Sequence, residues 1–542
     1  MTAQQQAAAE RPAPWIEVFG RRRATGRKPP LFLMLPAIVA GGMMLIPLVY
    51  LVVRASATER TELAAIVLRP FTLEVTLNTL ALVGSVLALT TAIALPLALL
   101  VTRTDIPAKR AITILATLPL AIPGYVMAYA LIGLSGYYGP LNAFFGLRLP
   151  RPEGLFGAAL ALSLYTFPYV FLNMRAALLG LDPALEESAR SLGRSSRAAF
   201  LSVTLPHLRP ALLSAWLVVA LYTLGDYGAI ALMRYDVLSS AIFSQYANAF
   251  EVNYAAWLAL MLLAIAAAFL VLEGALNRGR RLARTGTGTR RSIPVVALGR
   301  WRWPALGFAA LVHLASLGVP ALVIAFWLSR APADVDWAKV PATVLGTLSV
   351  ALPAAALAVA IAVPVALVAT RWPSRLTYGI ERMTYFGYAV PALPFALATV
   401  FFTLAVVPAL YQTLAILVIA LALHSAALAV GPVRVRLLQI GPRVEESARS
   451  FGYSAPAAFR SVTLPALSRS VLAGAIFVFI MVAKELPITL LLAPSGFTTM
   501  AMNVFSRTHE GMLYEAAPYA ALMIAFSAIS VALMLRSERD RP

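Results

Sequence analysis

Residues 186–206 read EESARSLGRSSRAAFLSVTLP, and residues 445–465 read EESARSFGYSAPAAFRSVTLP. Aligned without a gap, the two stretches agree at 16 of 21 positions, differing only at 192, 194, 196, 197 and 201. Both are polar and charged, whereas the 542-residue chain around them is 60% hydrophobic and 13% charged, with a mean hydropathy of +0.80. A soluble domain of this size cannot hide so much apolar surface, and runs of twenty or more apolar residues point to membrane spans. The question is why such a chain carries one soluble-looking segment twice.

Outward from these segments, hydropathy predicts twelve spans. Six lie near 31–53, 77–101, 112–134, 155–173, 211–232 and 254–276. Six more lie near 304–328, 343–369, 379–407, 411–430, 470–493 and 514–536. Each is long enough to cross about 30 Å of hydrocarbon as a helix. The alternating ten-residue strands of a membrane barrel are absent. The sequence therefore predicts an all-α polytopic membrane protein with about twelve transmembrane helices. The first span is longer than a signal-peptide core and lacks a clear cleavage site, so it reads as a retained helix.

Charge placement tests this layout. With the N-terminus cytoplasmic, most of the 44 lysines and arginines fall in the tails and inside loops, an asymmetry that predicts both termini in the cytoplasm. The segments expected are a cytoplasmic tail at 1–30, a first half at 31–276, a basic linker at 277–303, a second half at 304–536 and a short tail at 537–542. The linker reads as an orientation signal and flexible joint rather than a nucleic-acid site.

Other repeats agree. Ala94-Leu-Pro-Leu-Ala-Leu-Leu-Val-Thr-Arg103 matches Ala362-Val-Pro-Val-Ala-Leu-Val-Ala-Thr-Arg371 at an offset of 268, which Pro123 and Pro391 keep; Arg175 and Arg434 are 259 apart. With six spans per half, the copies share one orientation, so the repeat is parallel. The opening stretches fall in matching inside loops, 182–206 and 441–465. Asp182-Pro183 and Gly441-Pro442 suit helix starts, and residues 184–192 favour a helix. Gly193 breaks it, Ser195 caps a second short helix to about Val203, and Pro206 and Pro465 close the loop. Loops normally drift faster than the elements they join, so a loop that is the best-matched part of a repeat points to a shared partner.

These residues carry a family resemblance. Glu187-Ser-Ala-Arg-Ser-Leu-Gly193 followed by Val203-Thr-Leu-Pro206, and Glu446-Ser-Ala-Arg-Ser-Phe-Gly452 followed by Val462-Thr-Leu-Pro465, resemble the EAA loop of ABC importer permeases. Ser replaces the first Ala of that pattern and Val its Ile. The resemblance implies a type I ABC importer fold with both permease halves fused, in a bacterial inner membrane. It implies that two copies of a cytosolic ATPase subunit dock on the loops. Glu186, Glu187, Ala189, Arg190, Gly193, Leu205 and Pro206 form one docking set, with Glu445, Glu446, Ala448, Arg449, Gly452, Leu464 and Pro465 the other. A periplasmic binding protein would deliver the cargo.

The chain lacks a motor of its own. Lys28, Lys109, Lys339 and Lys484 are its only lysines, and none sits in a Gly-Lys-Ser/Thr sequence, so no Walker A loop exists. Cofactors are expected to be absent here, with ATP and Mg on the partner ATPase. There is no cysteine, and His207, His313, His424 and His509 show no metal-ligand spacing, so thiolate chemistry is excluded and a resident metal is not expected. No nucleic-acid partner and no enzyme activity are expected.

Charges inside spans suggest a path. Asp226 and Tyr227 lie in the fifth span, Lys484 and Glu485 in the eleventh, and Asp226 and Glu485 keep the 259 offset. Two such acids would attract a cation; the alternative is that Glu485 is neutralised by Lys484 and only packs. The stretches 225–246 and 484–501 most resemble ferric-iron importer permeases. Thiamine, polyamine, phosphonate or sulfate cargo, or an ion-coupled secondary transporter, remain alternatives.

Overall fold

The computed structural model describes residues 29–57, 66–247, 249, 251–277, 295–331 and 336–539. The expected tail at 1–30 and linker at 277–303 fall largely outside these residues, as does the end of the 537–542 tail. Among the described residues the chain is helical, and the only β pairing is an isolated bridge between Thr104 and Val296. Nine helices among the described residues are long and apolar enough to cross a membrane: Leu31–Ser56, Pro70–Arg103, Gly154–Gly180, Ser196–Gly225, Val252–Leu276, Gly299–Ser329, Lys339–Arg371, Leu414–Ile440 and Ala455–Ala483. The twelfth expected span corresponds to Leu513–Arg539.

The expected spans at 112–134 and 379–407 are not continuous. The first is Lys109–Ala121 and Gly124–Leu134, bent by 99°. The second divides into Arg375–Ala389 and Ala392–Val406. Both breaks fall at the repeated prolines. Pro123 and Pro391 adopt extended backbone and serve as the N-cap residues of the following helices. A proline offers no N–H and pushes the residue before it out of the helical region, which here leaves Ile122 at φ −89°, ψ 120°.

The chain forms two compact units that do not follow the halves of the repeat. One comprises, of the described residues, 29–46, 353–388 and 421–479. Within it, Phe32 packs on Phe459 at 6.2 Å between ring centroids, and Arg434 pairs with the buried Glu381 at 2.8 Å. A Cβ on Gly474 would lie 3.0 Å from the Ala429 Cα, so only glycine lets these backbones approach so closely.

The other unit comprises the described residues within 47–352, 389–420 and 480–539. Its most extensive packing sets Pro70–Arg103 along Gly154–Gly180, where Gly157, Ala158 and Ala161 are buried. Buried Thr79, Thr90 and Thr102 return their hydroxyls to carbonyls four residues back. Trp216 donates its indole N–H to Thr91 Oγ1 at 2.8 Å, and Thr72 and Tyr254 share a 2.7 Å hydrogen bond. These polar groups in apolar surroundings are thus paired within the protein, as the absence of water in a bilayer favours.

Candidate functional site

The first finger begins where Asp182 accepts a hydrogen bond from the Ala184 N–H at 3.0 Å and Pro183 occupies the first turn of the helix Pro183–Ser191. Gly193 ends that helix at φ +88°, while the N–H of Arg194 returns to the Ala189 carbonyl at 3.2 Å. Left-handed backbone disfavours a side chain, which explains the glycine. Ser195 then caps Ser196–Ala199 through the Ala198 N–H. The second finger repeats this with Arg443–Ser450, Gly452 at φ +90°, and Ser454 capping Ala455–Ala458. The helix–turn–helix expected at both loops is present.

Pro206 and Pro465 do not close these loops. The short second helix passes through a π-turn, Phe200–Thr204 or Phe459–Thr463, straight into the next span. The N–H of Leu205 reaches back to the Phe200 carbonyl, and that of Leu464 to the Phe459 carbonyl. The wider turn accommodates a proline that has no N–H for the carbonyl four residues earlier. Leu205, Pro206, Leu464 and Pro465 therefore belong to the starts of spans, with both leucines more than a third exposed.

The short finger helix packs on this π-turn in each half, and it buries Ala189 in one and Ala448 in the other. A larger side chain there would push the helix away. Glu187, Arg190, Glu446 and Arg449 are exposed. Glu186 and Glu445 differ: they turn inward. Glu186 pairs with Arg103 at 3.2 Å and Glu445 with Arg371 at 3.1 Å. In their place the tips present large apolar side chains, Leu192 at 84% exposure and Phe451 at 83%. The sequence reading passed over these two because they differ between the copies, although both are bulky and directly precede the turn glycine.

The membrane charges cluster in the larger unit. The fifth and eleventh expected spans are interrupted at the acids themselves. One helix ends at Gly225, and Asp226 Oδ1 caps the next, Gly228–Leu232, by accepting the Ala229 N–H at 2.9 Å. Asp226 Oδ2 accepts the Tyr165 hydroxyl at 3.2 Å. Glu485 is 7% exposed and caps Pro487–Leu492, accepting from the N–H groups of Ile488 at 2.6 Å and Thr489 at 3.0 Å and from the Thr489 hydroxyl at 2.9 Å. Exposed helix ends carry unsatisfied amides, and a carboxylate answers both the hydrogen-bonding need and the positive end of the dipole.

Lys484 answers the opposite need. Its ammonium donates to the Leu120 carbonyl at 3.1 Å, at the C-terminal end of the bent pair's first helix. Tyr125 donates its hydroxyl to the Lys484 carbonyl at 3.2 Å. A Cβ on Gly228 would lie 2.7 Å from Leu486 Cδ2, so the two interruptions pack directly on one another. The structure thus brings together the repeat-related acids, Tyr227 being buried against Phe243 and Phe505. Among the described residues no three His, Asp or Glu side chains converge as metal ligands. His424 lies against the ring of Tyr388, 6.1 Å between centroids.

Comparison with known proteins places this geometry. A family model described as the binding-protein-dependent transport system inner membrane component matches residues 76–282 and again 358–539, each match enclosing one finger. The chain is 30% identical over 513 residues to the Fe(3+)-transport system permease protein FbpB 2 of Haemophilus influenzae, covering 94% of this chain and 98% of that one. It is 29% identical over 185 residues to the sulfate transport system permease protein CysT of Escherichia coli, covering 32% of this chain and 65% of that protein. It is 32% identical over 134 residues to the molybdenum transport system permease protein ModB of the same organism, covering 24% and 58%.

Proposed function

The chain belongs to the family of binding-protein-dependent transport system inner membrane components, and from that premise we propose that it is the fused permease of an ATP-driven importer whose cargo is ferric iron. The observation that carries the cargo is the end-to-end similarity to a Fe(3+)-transport permease, with shorter matches to sulfate and molybdenum permeases. Ferric iron is a hard cation that takes oxygen ligands, so a chain without cysteine suits it as transient cargo. The binding protein would supply most of the selectivity.

In this reading the fingers face the cytoplasm and each engages one of two ATPase subunits. Glu187, Arg190 and Leu192 form the contact in the first half; Glu446, Arg449 and Phe451 form it in the second. A charged rim around an exposed apolar anchor is the usual anatomy of a docking patch. ATP and Mg are held by the partner, both termini are cytoplasmic, and closure of the ATPase pair drives alternating access. Asp226, Tyr227, Lys484 and Glu485 stand beside the path; the hydrogen bonds of Asp226, Lys484 and Glu485 to backbone support a role in shaping it more than in holding the ion.

The test is uptake into proteoliposomes containing the chain, its ATPase and the loaded binding protein. ATP-dependent uptake of ferric iron in preference to sulfate, molybdate, thiamine and polyamines is expected. Uptake of one of the others, or ion-driven uptake without the ATPase, would refute the assignment.

A further inference from the structure

The two best-preserved parts of the internal repeat touch each other, once in each half. Arg103 and Arg371 end the matched segments 94–103 and 362–371, while Glu186 and Glu445 open the matched fingers. In the first half, Arg103 Nη1 donates to Glu186 Oε2 at 3.2 Å, and the same oxygen accepts the Thr204 hydroxyl at 3.0 Å. One carboxylate oxygen therefore ties the end of Pro70–Arg103, the finger helix and the π-turn that starts the following span. In the second half, Arg371 Nε donates to Glu445 Oε1 at 3.1 Å. Its remaining nitrogens donate to the carbonyls of Leu437 at 3.3 Å and Gly441 at 2.7 Å, at the end of Leu414–Ile440. Thr463, the counterpart of Thr204, is buried, and its hydroxyl makes no hydrogen bond.

We propose that Arg103–Glu186 and Arg371–Glu445 are braces that lock each finger to the long second helix of its half, so that a displacement of the finger moves that helix with it. This rests on the fingers being the ATPase-docking elements. Three features favour a mechanical role over an incidental surface pair. The arginine side chains are only 13% and 7% exposed and the glutamates 20% and 22%, so salt screens these pairs weakly. Each links elements far apart in sequence, 83 and 74 residues. The pair also recurs in both halves between the same repeat-matched positions. Arg103 and Arg371 are thus positioning residues, acting on transport through the fingers.

The chain contains no cysteine, so single spin-label pairs can be introduced directly. Labels at Leu89→Cys and Ser191→Cys report the distance between the second helix and the first finger in the assembled ATPase complex. With the brace intact, this distance keeps one narrow distribution with and without nucleotide, because the two elements move as one. In Arg103→Gln it broadens or shifts when nucleotide binds, and cargo moved per ATP falls about 5-fold or more, the low end of an ordinary coupling energy. The swap Arg103→Glu with Glu186→Arg restores the narrow distribution, which a loss of folding would not allow. An unchanged, narrow distribution in Arg103→Gln would overturn the proposal. Absence of iron uptake by the wild-type complex, with the distances behaving as described, would count against the cargo and leave the braces standing.

Discussion

Replacing Glu485 by alanine should destabilise the protein by about 2–6 kcal/mol, from two buried N–H groups left without acceptors at about 1–3 kcal/mol each. The count comes from the local geometry. Pro487 occupies the first turn and has no N–H, so the amides needing a partner there are those of Ile488 and Thr489, and Glu485 accepts both. The Thr489 hydroxyl also loses the carboxylate, but it can turn to the Glu485 carbonyl, 3.5 Å away, and is left out of the sum. Hydrogen bonds within membrane proteins are worth less when measured in pairs, averaging about 0.6 kcal/mol, so the lower end of the range is the firmer expectation. A competing effect has the opposite sign: a buried carboxylate is costly to desolvate, and a neutral side chain removes that cost. Glu485→Gln separates the two. If capping dominates, Gln keeps one acceptor oxygen and costs roughly half as much as Ala; if desolvation dominates, Gln is more stable than wild type. The measurement is unfolding of the purified protein in mixed micelles by SDS titration, followed by tryptophan fluorescence. An alanine variant within about 0.5 kcal/mol of wild type, the range of inert surface changes, would refute the capping account.

Gly124→Ala should be destabilised by about 1–3 kcal/mol in the same titration, since its Cβ would lie 2.6 Å from Asp226 Oδ2 and 2.9 Å from the Tyr165 ring. Asp226→Asn combined with Glu485→Gln should lower ferric-iron uptake while the ATPase still co-purifies; undiminished uptake would confine both acids to shaping the helix ends. Gly193→Val with Gly452→Val should lose ATPase association in pull-downs, because each turn holds its glycine near φ +90°, where a β-branched residue costs at least about 1–2 kcal/mol. Leu192→Ser with Phe451→Ser should weaken that association without changing stability, since both side chains are more than four-fifths exposed.

The sequence alone determined the architecture class and the machine, and the reason is that both rest on local or repeated signals. Hydropathy over twenty residues marks a span wherever the chain goes. A finger written twice encodes its own turn and second cap, Gly193 and Ser195 in one copy and Gly452 and Ser454 in the other, while the first cap, Asp182, is present in the first copy alone. The same signals overreached where a helix is broken by a few residues inside an apolar run. Pro123 and Pro391 were visible as repeat markers, yet an averaging window cannot tell a kinked span from a sharply bent pair.

What only the tertiary structure decided is the direction in which charged side chains face. Glu186 and Glu187 are neighbours in sequence and look interchangeable as docking residues, but a helix sends them to different sides. Glu186 meets Arg103 from another span, whereas Glu187 remains on the exposed side. Likewise, Asp226 and Glu485 read as charges adrift in apolar helices until the interruptions appear, and with them the unpaired amides that a carboxylate can satisfy. Partners 61, 83 or 364 residues away, such as Tyr165 for Asp226, Arg103 for Glu186 and Leu120 for Lys484, leave no periodicity in the chain. They exist only once the helices have packed.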